Sequence, residues 1–218
     1  LAISLHQKGY KAQSFSGLQA QIQTDGNFQK ARIINIDAEP VLNALNEGKI
    51  VIVAGFQGVD SVGDITTLGR GGSDTTAVAL AAVLNAKECQ FYKEVEGVYT
   101  ADPRIVPQAR KLEKITFEEM LELASLGAKV LKNRAVEFAG KYQVPIRVLS
   151  TFKEGTGTLI TFDNKIMESP VVSGIAFNQN EAKITIVGVP NQLGVEFRIL
   201  KSVSVANIDI DMIIQNTS

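Results

Sequence analysis

Thr66-Thr-Leu-Gly-Arg-Gly-Gly-Ser-Asp-Thr-Thr76 runs straight into the apolar stretch 77–86. Three glycines within four positions let the backbone take φ > 0. Ser73 and Asp74 are residue types that cap helix N-termini, and from Thr75 onward the small and aliphatic residues read as a helix. Such a loop gathers backbone N–H groups and the positive end of a helix dipole at one spot, and Arg70 adds a forked cation suited to a carboxylate or phosphate. Two readings stand at this point: an anion site, or a plain loop-to-helix turn in which glycine serves close packing and Ser73 merely caps. The surroundings decide between them.

Upstream, 39–47 reads as a short helix closed by Gly48. Lys49-Ile-Val-Ile-Val-Ala54 is a β-branched apolar run that ends in Gly55-Phe-Gln-Gly58. A strand apolar on both faces with a glycine turn at its carboxyl end is what a parallel α/β sheet requires. Downstream, 88–93 alternates as a strand, and Gly97-Val-Tyr-Thr-Ala-Asp-Pro-Arg104 is dense in turn residues. Thr116-Phe-Glu-Glu119 spells a capping box for a helix over 117–126, which makes Glu118 and Glu119 helix-start carboxylates before anything else. A further helix is expected from Gly127-Ala-Lys-Val-Leu131 to about Tyr142, then a strand over 145–149 and a last one over 158–162. This order of elements predicts a three-layer α/β/α sandwich with a mostly parallel sheet. Ligands of such sheets gather outside the carboxyl ends of the strands, so the turns at 55–58, 69–74 and 97–104 are expected to converge.

Composition sets the outer bounds. The 218 residues, 45% of them hydrophobic, suffice for one to two domains, and a net charge of −1 argues against binding nucleic acid through its backbone. No apolar run approaches membrane-spanning length, and no basic, then apolar, leader opens the chain, which fits a cytoplasmic location. Cys89, the single cysteine, lies in an alternating run and is expected to be a buried strand thiol; His6, the single histidine, is expected at the surface of a short helix. One histidine and one cysteine leave no transition-metal set of the usual zinc kind.

The composition shifts near 153–170. Beyond it, 182–189 alternates, Pro190-Asn-Gln-Leu-Gly194 turns the chain, Phe197, Ile199, Leu200 and Val203 recur at helical spacing, and Ile208, Ile210, Met212 and Ile214 alternate again. Strand, helix, strand is half of a ferredoxin-like unit, and an unfinished sheet edge calls for a partner strand or a second copy. Domains are expected over 1–163 and 171–218.

Together, Val53-Ala-Gly-Phe-Gln-Gly58, Leu68-Gly-Arg-Gly-Gly-Ser-Asp-Thr-Thr76, Gly97-Val-Tyr-Thr-Ala-Asp-Pro-Arg-Ile-Val106, Phe117-Glu-Glu-Met-Leu121 and Gly127-Ala-Lys-Val-Leu131 resemble the aspartate kinase family of the amino-acid-kinase superfamily. The likeness extends over essentially the whole chain, and Val172-Ser-Gly-Ile-Ala176 with Ile210-Asp-Met-Ile-Ile-Gln-Asn216 resembles the first half of an ACT regulatory region. The resemblance implies transfer of the γ-phosphoryl of MgATP to the side-chain carboxylate of L-aspartate, with Mg2+ held through the nucleotide phosphates and no metal site in the protein itself. It implies Arg70, Ser73 and Phe56 on the substrate, and Asp74 with Lys129 as the catalytic pair, Asp74 orienting lysines that neutralise the phosphoryl group. It implies Lys93, Glu94, Tyr99, Arg104 and Lys129 around the nucleotide. Asn191, Gln192, Leu193 and Gly194 are implied as the edge for an effector amino acid, lysine or threonine, on an ACT-mediated homodimer.

The sequence departs from the family at two levels. Lys93-Glu94 stands where a Thr-Asp pair is usual, which puts nucleotide contact there in question. The family's Lys-x-Gly-Gly phosphate loop and its upstream substrate-binding glutamate have no counterpart here, so the chain alone is expected to be inactive or nearly so. Another amino-acid kinase, of glutamate or acetylglutamate type, and a non-catalytic effector-binding subunit are the competing readings.

Overall fold

The computed structural model describes residues 1–162, 172–177, 182–190, 192–206, 208, 210, 213 and 214. They fall into two compact units, Leu1–Asn178 and Gln179–Ser218.

In the first unit the elements run α1 (Ala2–Gln7), β1 (Ala12–Phe15), β2 (Ile22–Thr24), β3 (Ile33–Ile36), α2 (Glu39–Asn46), β4 (Ile50–Val53), β5 (Gln57–Val59), β6 (Ile65–Thr67) and α3 (Gly72–Val83). They continue with β7 (Cys89–Lys93), β8 (Lys114–Thr116), α4 (Phe117–Ser125), α5 (Asn133–Tyr142), β9 (Ile146–Ser150) and β10 (Thr158–Thr161). β1 and β4 pair in parallel, from Ala12 opposite Ile50 to Phe15 opposite Val53. A four-stranded sheet runs β7-β9-β10-β8, with β7 and β9 parallel, β10 antiparallel to β9, and β10 parallel to β8. The expected α/β architecture with a mostly parallel sheet is present. A second four-stranded sheet, β3-β2-β5-β6, escapes the sequence reading. Its strands are three or four residues long, too short for alternation to declare itself, and non-local pairing defines them.

α3 is the hinge of the packing. Its Val78 and Ala81 join the core built with Phe91, Ile146, Val148 and Met120, while Ala79 joins the core of Phe15, Ile22, Ile36 and Val41. A helix buried on several sides needs small apolar residues all round instead of one stripe, and Ala77-Val-Ala-Leu-Ala-Ala-Val83 supplies them. α4 is the amphipathic counterpart. Thr116 and Glu119 form the expected capping box, with Thr116 Oγ1 accepting from Glu119 N at 3.2 Å and Glu119 Oε2 accepting from Thr116 N at 2.9 Å. Phe117, Met120 and Leu123 turn inward below it.

The helix expected to begin at Gly127 starts later. Gly127 takes φ +115, Ala128 N donates to Leu123 O as the α4 end folds back, and α5 opens only at Asn133. Residues 127–132 are therefore a loop, and Lys129 is not a helix-start residue. In the second unit α6 (Val195–Val205) forms as expected, with Gly194 at φ +87 as its N-cap. The flanking stretches read as strands take no strand conformation at any described residue, since a strand needs a neighbour to pair with its backbone groups.

Cys89 is buried, as expected. Burial pushes its thiol up to about 11, with the charge of Asp74 adding to the effect. At pH 8 the thiolate fraction falls about two orders of magnitude below that of an ordinary cysteine. Iodoacetamide should accordingly label the native chain at least that much more slowly than the chain in denaturant; comparable rates would mean that β7 is not packed as described.

Candidate functional site

Two turns are stitched together where β4 ends and α3 begins. Leu68 N donates to Phe56 O at 2.9 Å, and Phe56 N donates to the Thr76 hydroxyl at 3.1 Å, which in turn donates to Gly72 O at 2.9 Å. The approach is close enough to demand glycine: a Cβ on Gly72 would lie 2.6 Å from Leu68 Cβ, and one on Gly55 would lie 3.3 Å from Ser73 Cα. Phe56 itself sits at φ +72, an unusual place for an aromatic residue, and its ring is partly open to solvent. Backbone strain of this kind concentrates at binding and catalytic sites.

The glycine loop carries one correction to the sequence reading. Ser73 and Asp74 are not the N-cap; Gly71 is, at φ +80 in the left-handed region. Because glycine takes that conformation without a Cβ penalty, the helix starts at Gly72, and Ser73 and Asp74 fall in its first turn. Their position leaves the side chains free for other partners. Asp74 uses this freedom: Lys93 Nζ, at the carboxyl end of β7, donates to Asp74 Oδ1 at 3.0 Å and Oδ2 at 3.1 Å, and stands 5.2 Å from the Phe91 ring centroid. Among the described residues, the cation that Asp74 holds is Lys93 instead of Lys129. The two lie on elements apolar enough to be read only as helix and strand, and nothing in the sequence spacing links them. Arg70 and Ser73 are exposed, and neither side chain has a partner among the described residues.

Residues 127–132 lie between the glycine loop and the turn at 97–104. The Lys132 stem covers Gly71. Exposed Lys129 is near enough to Asp102 to help lower its pKa. Arg134, which sequence reasoning missed, pins the loop by donating to Leu68 O at 2.7 Å and Ala31 O at 2.8 Å, contacts too distant in sequence to leave a signal.

In the turn at 97–104, Arg104 grips Asp102, with Nη2 at 2.6 Å from Oδ2 and Nε at 3.0 Å from Oδ1, holding the Asp102 carboxyl down at about 2. Tyr99 is half-buried and bridges antiparallel to Lys111, and Thr100 N donates to Arg110 O at 2.9 Å, so the turn is one limb of a hairpin. Buried Thr158 holds the base of that hairpin, accepting from Val98 N at 2.9 Å. Glu94 is exposed, and Glu96 pairs instead with Lys153 at 2.6 Å. The site thus assembles Phe56, Arg70, Ser73, Asp74 and Lys93 around one loop, with the charge of Lys129 felt at Asp102.

In the second unit, Gln192, Leu193 and Gly194 are exposed at the start of α6, and Asn191 lies outside the described residues. Among the described residues no group of three His, Cys, Asp or Glu could hold a metal ion, and no helix is long and apolar enough to cross a membrane.

A layered α/β domain with a glycine loop opening a helix at the carboxyl end of its strands defines a class of small-molecule-binding fold. Residues 1–150 match the model of the amino acid kinase family. The chain belongs to the amino acid kinase family. It is 62% identical over 219 residues to an aspartate kinase of Pseudomonas putida, covering 100% of this chain and 53% of that protein. The crystal structure of E. coli aspartokinase III in complex with aspartate and ADP superposes with a TM-score of 0.75 at 30% identity, over 97% of this chain and 48% of that one. The same E. coli enzyme in complex with lysine and aspartate gives a TM-score of 0.65 at 34% identity, over 76% of this chain and 38% of that one. The chain spans about half the length of the curated relatives it matches.

Proposed function

We propose that this chain carries the substrate and nucleotide machinery of an aspartate kinase, which transfers the γ-phosphoryl of ATP to the side-chain carboxylate of L-aspartate. The observation that carries the reading is the 70–74 loop, where an unpartnered forked cation and an unpartnered hydroxyl stand at a helix start. The aspartate kinase relatives and the aspartate- and ADP-bound neighbour support it.

An aspartate side chain is ionised at neutral pH, so the acceptor needs no general base. One carboxylate oxygen forms a bond to the γ-phosphorus, the bond from that phosphorus to the ADP oxygen breaks, and an acyl phosphate and ADP result. What the protein must supply is alignment and charge neutralisation. Arg70 takes the substrate α-carboxylate in a forked grip, Ser73 and the Phe56 backbone fix the same molecule, and Asp74 holds the Lys93 ammonium in place as a phosphate-side cation. Lys129, Arg104, Tyr99 and Glu94 border the nucleotide. Mg2+, held through the nucleotide phosphates, would supply neutralisation of their charge.

The residues after 178 belong to a partial ACT unit that pairs two chains and takes lysine or threonine at 191–194, and the protein works in the cytoplasm. The ligand test is calorimetry on the purified chain. MgADP and L-aspartate should bind, with L-glutamate and N-acetyl-L-glutamate at least tenfold weaker than L-aspartate. Equal or better binding of the longer acids would assign the loop to another amino-acid kinase. Binding of lysine or threonine without any nucleotide binding would make the chain an effector-binding subunit.

A further inference from the structure

Residues 172–177 pack with the first unit, where they touch the turn that carries Tyr99 and Arg104. Ile175 N donates to Thr100 O at 2.8 Å. Gly174 lies flat between α4 and that turn, since a Cβ there would stand 3.3 Å from both Leu123 Cδ2 and Thr100 O. The Ser173 hydroxyl donates to Glu119 Oε1, the oxygen of the α4 capping box that Thr116 does not use. Ala176 rests against the main core. Thr100 is consequently held on two sides: its N–H and Oγ1 engage Arg110 across the hairpin, and its carbonyl engages Ile175.

We infer that residues 173–176 form a positioning strap for the nucleotide-side turn, fixing Thr100 and through it the neighbouring Tyr99 and the Asp102–Arg104 pair. Ser173 is the peg that anchors the strap to α4, and Gly174 is the residue whose missing side chain lets it lie close. The strap's contacts are to Thr100, Glu119, Leu123 and the core, so its effect falls on nucleotide affinity by holding Tyr99 and Arg104 in register. The inference rests on the assignment of Tyr99 and Arg104 to the nucleotide, and its test is built to separate the two.

The experiment uses the 218-residue chain with Gly174→Val, Ser173→Ala and Ser173→Thr, reading hydrogen exchange by peptide and binding of MgADP and L-aspartate by calorimetry. Gly174→Val should speed exchange across 99–112 by about tenfold while the β7–β9 peptides keep the parent rate. It should weaken MgADP by roughly five- to tenfold and leave L-aspartate unchanged. Ser173→Ala should move both readouts in the same direction by less, and Ser173→Thr, which keeps the hydroxyl, should restore them. Unchanged exchange at 99–112 in Gly174→Val overturns the strap, as does an equal loss of MgADP and L-aspartate binding. If the parent chain binds no MgADP, the nucleotide assignment fails, and the exchange data alone decide for or against the strap.

Discussion

Arg70→Ala should weaken L-aspartate binding to the chain by about 10- to 100-fold, the loss of 1.5–3 kcal/mol attached to a charge-assisted hydrogen bond. Arg70 is exposed and has no described intramolecular partner, so its removal has little to disturb in the fold. The variant's Tm should stay within about 2 °C of the parent, because surface substitutions away from special features change stability by roughly half a kcal/mol. Arg70→Lys should recover only part of the affinity, since an ammonium cannot make the two parallel bonds that a guanidinium offers a carboxylate. MgADP affinity should be unaltered in both variants. Calorimetry with each ligand, alongside a thermal melt, checks all three statements; wild-type aspartate affinity in Arg70→Ala would remove the loop from the substrate site.

Gly157→Ala should be the most damaging single-methyl change in the first unit. Gly157 follows β9 at φ +63, and a Cβ there would overlap the Val148 carbonyl oxygen and lie 2.9 Å from Leu149 Cδ2. The obstacle is backbone of a buried strand, which cannot swing aside as a flexible side chain would. A left-handed conformation costs a non-glycine residue roughly 1–2 kcal/mol, and forced overpacking adds about 1–3 kcal/mol. For a chain of this length the sum lowers Tm by about 10 °C. Gly155→Ala, two residues away with open space around it, is the matched control and should be nearly neutral. A Gly157→Ala melt within about 2 °C of the parent would contradict the β9–β10 geometry. Gly71→Ala makes an instructive contrast: it shares the positive φ, but its neighbour is the Lys132 stem, which can move.

Particular residues show how far the sequence alone reached. The 66–76 loop announced itself through residue types with few alternatives: three glycines, an arginine and a serine-aspartate pair before a run of small apolar residues. The capping box at Thr116 and Glu119 was equally legible, because both partners lie within one turn of helix. Lys129 was misplaced onto a helix because Gly127-Ala-Lys-Val-Leu131 has helical composition, and nothing local shows that Gly127 will take φ +115. The N-cap moved from Ser73 to Gly71 for a similar reason. Side-chain capping preference is a local rule, whereas the start of α3 is set by the β4–β5 turn packed against it through Leu68, Phe56 and Thr76.

Local chemistry therefore determined the longer strands, most of the helices, the glycine turn into α3 and the burial of Cys89, since each depends on residues within a turn or two of one another. Tertiary structure decided which charges meet. Asp74 is joined to Lys93 across 19 residues, Arg134 to Leu68 across 66, and Glu119 to Ser173 across 54. Hydrogen bonds and ion pairs act over about 3 Å of space and carry no trace in sequence separation. Only the folded chain shows that Asp74 of the glycine loop is already held by a lysine while Arg70 has no side-chain partner among the described residues.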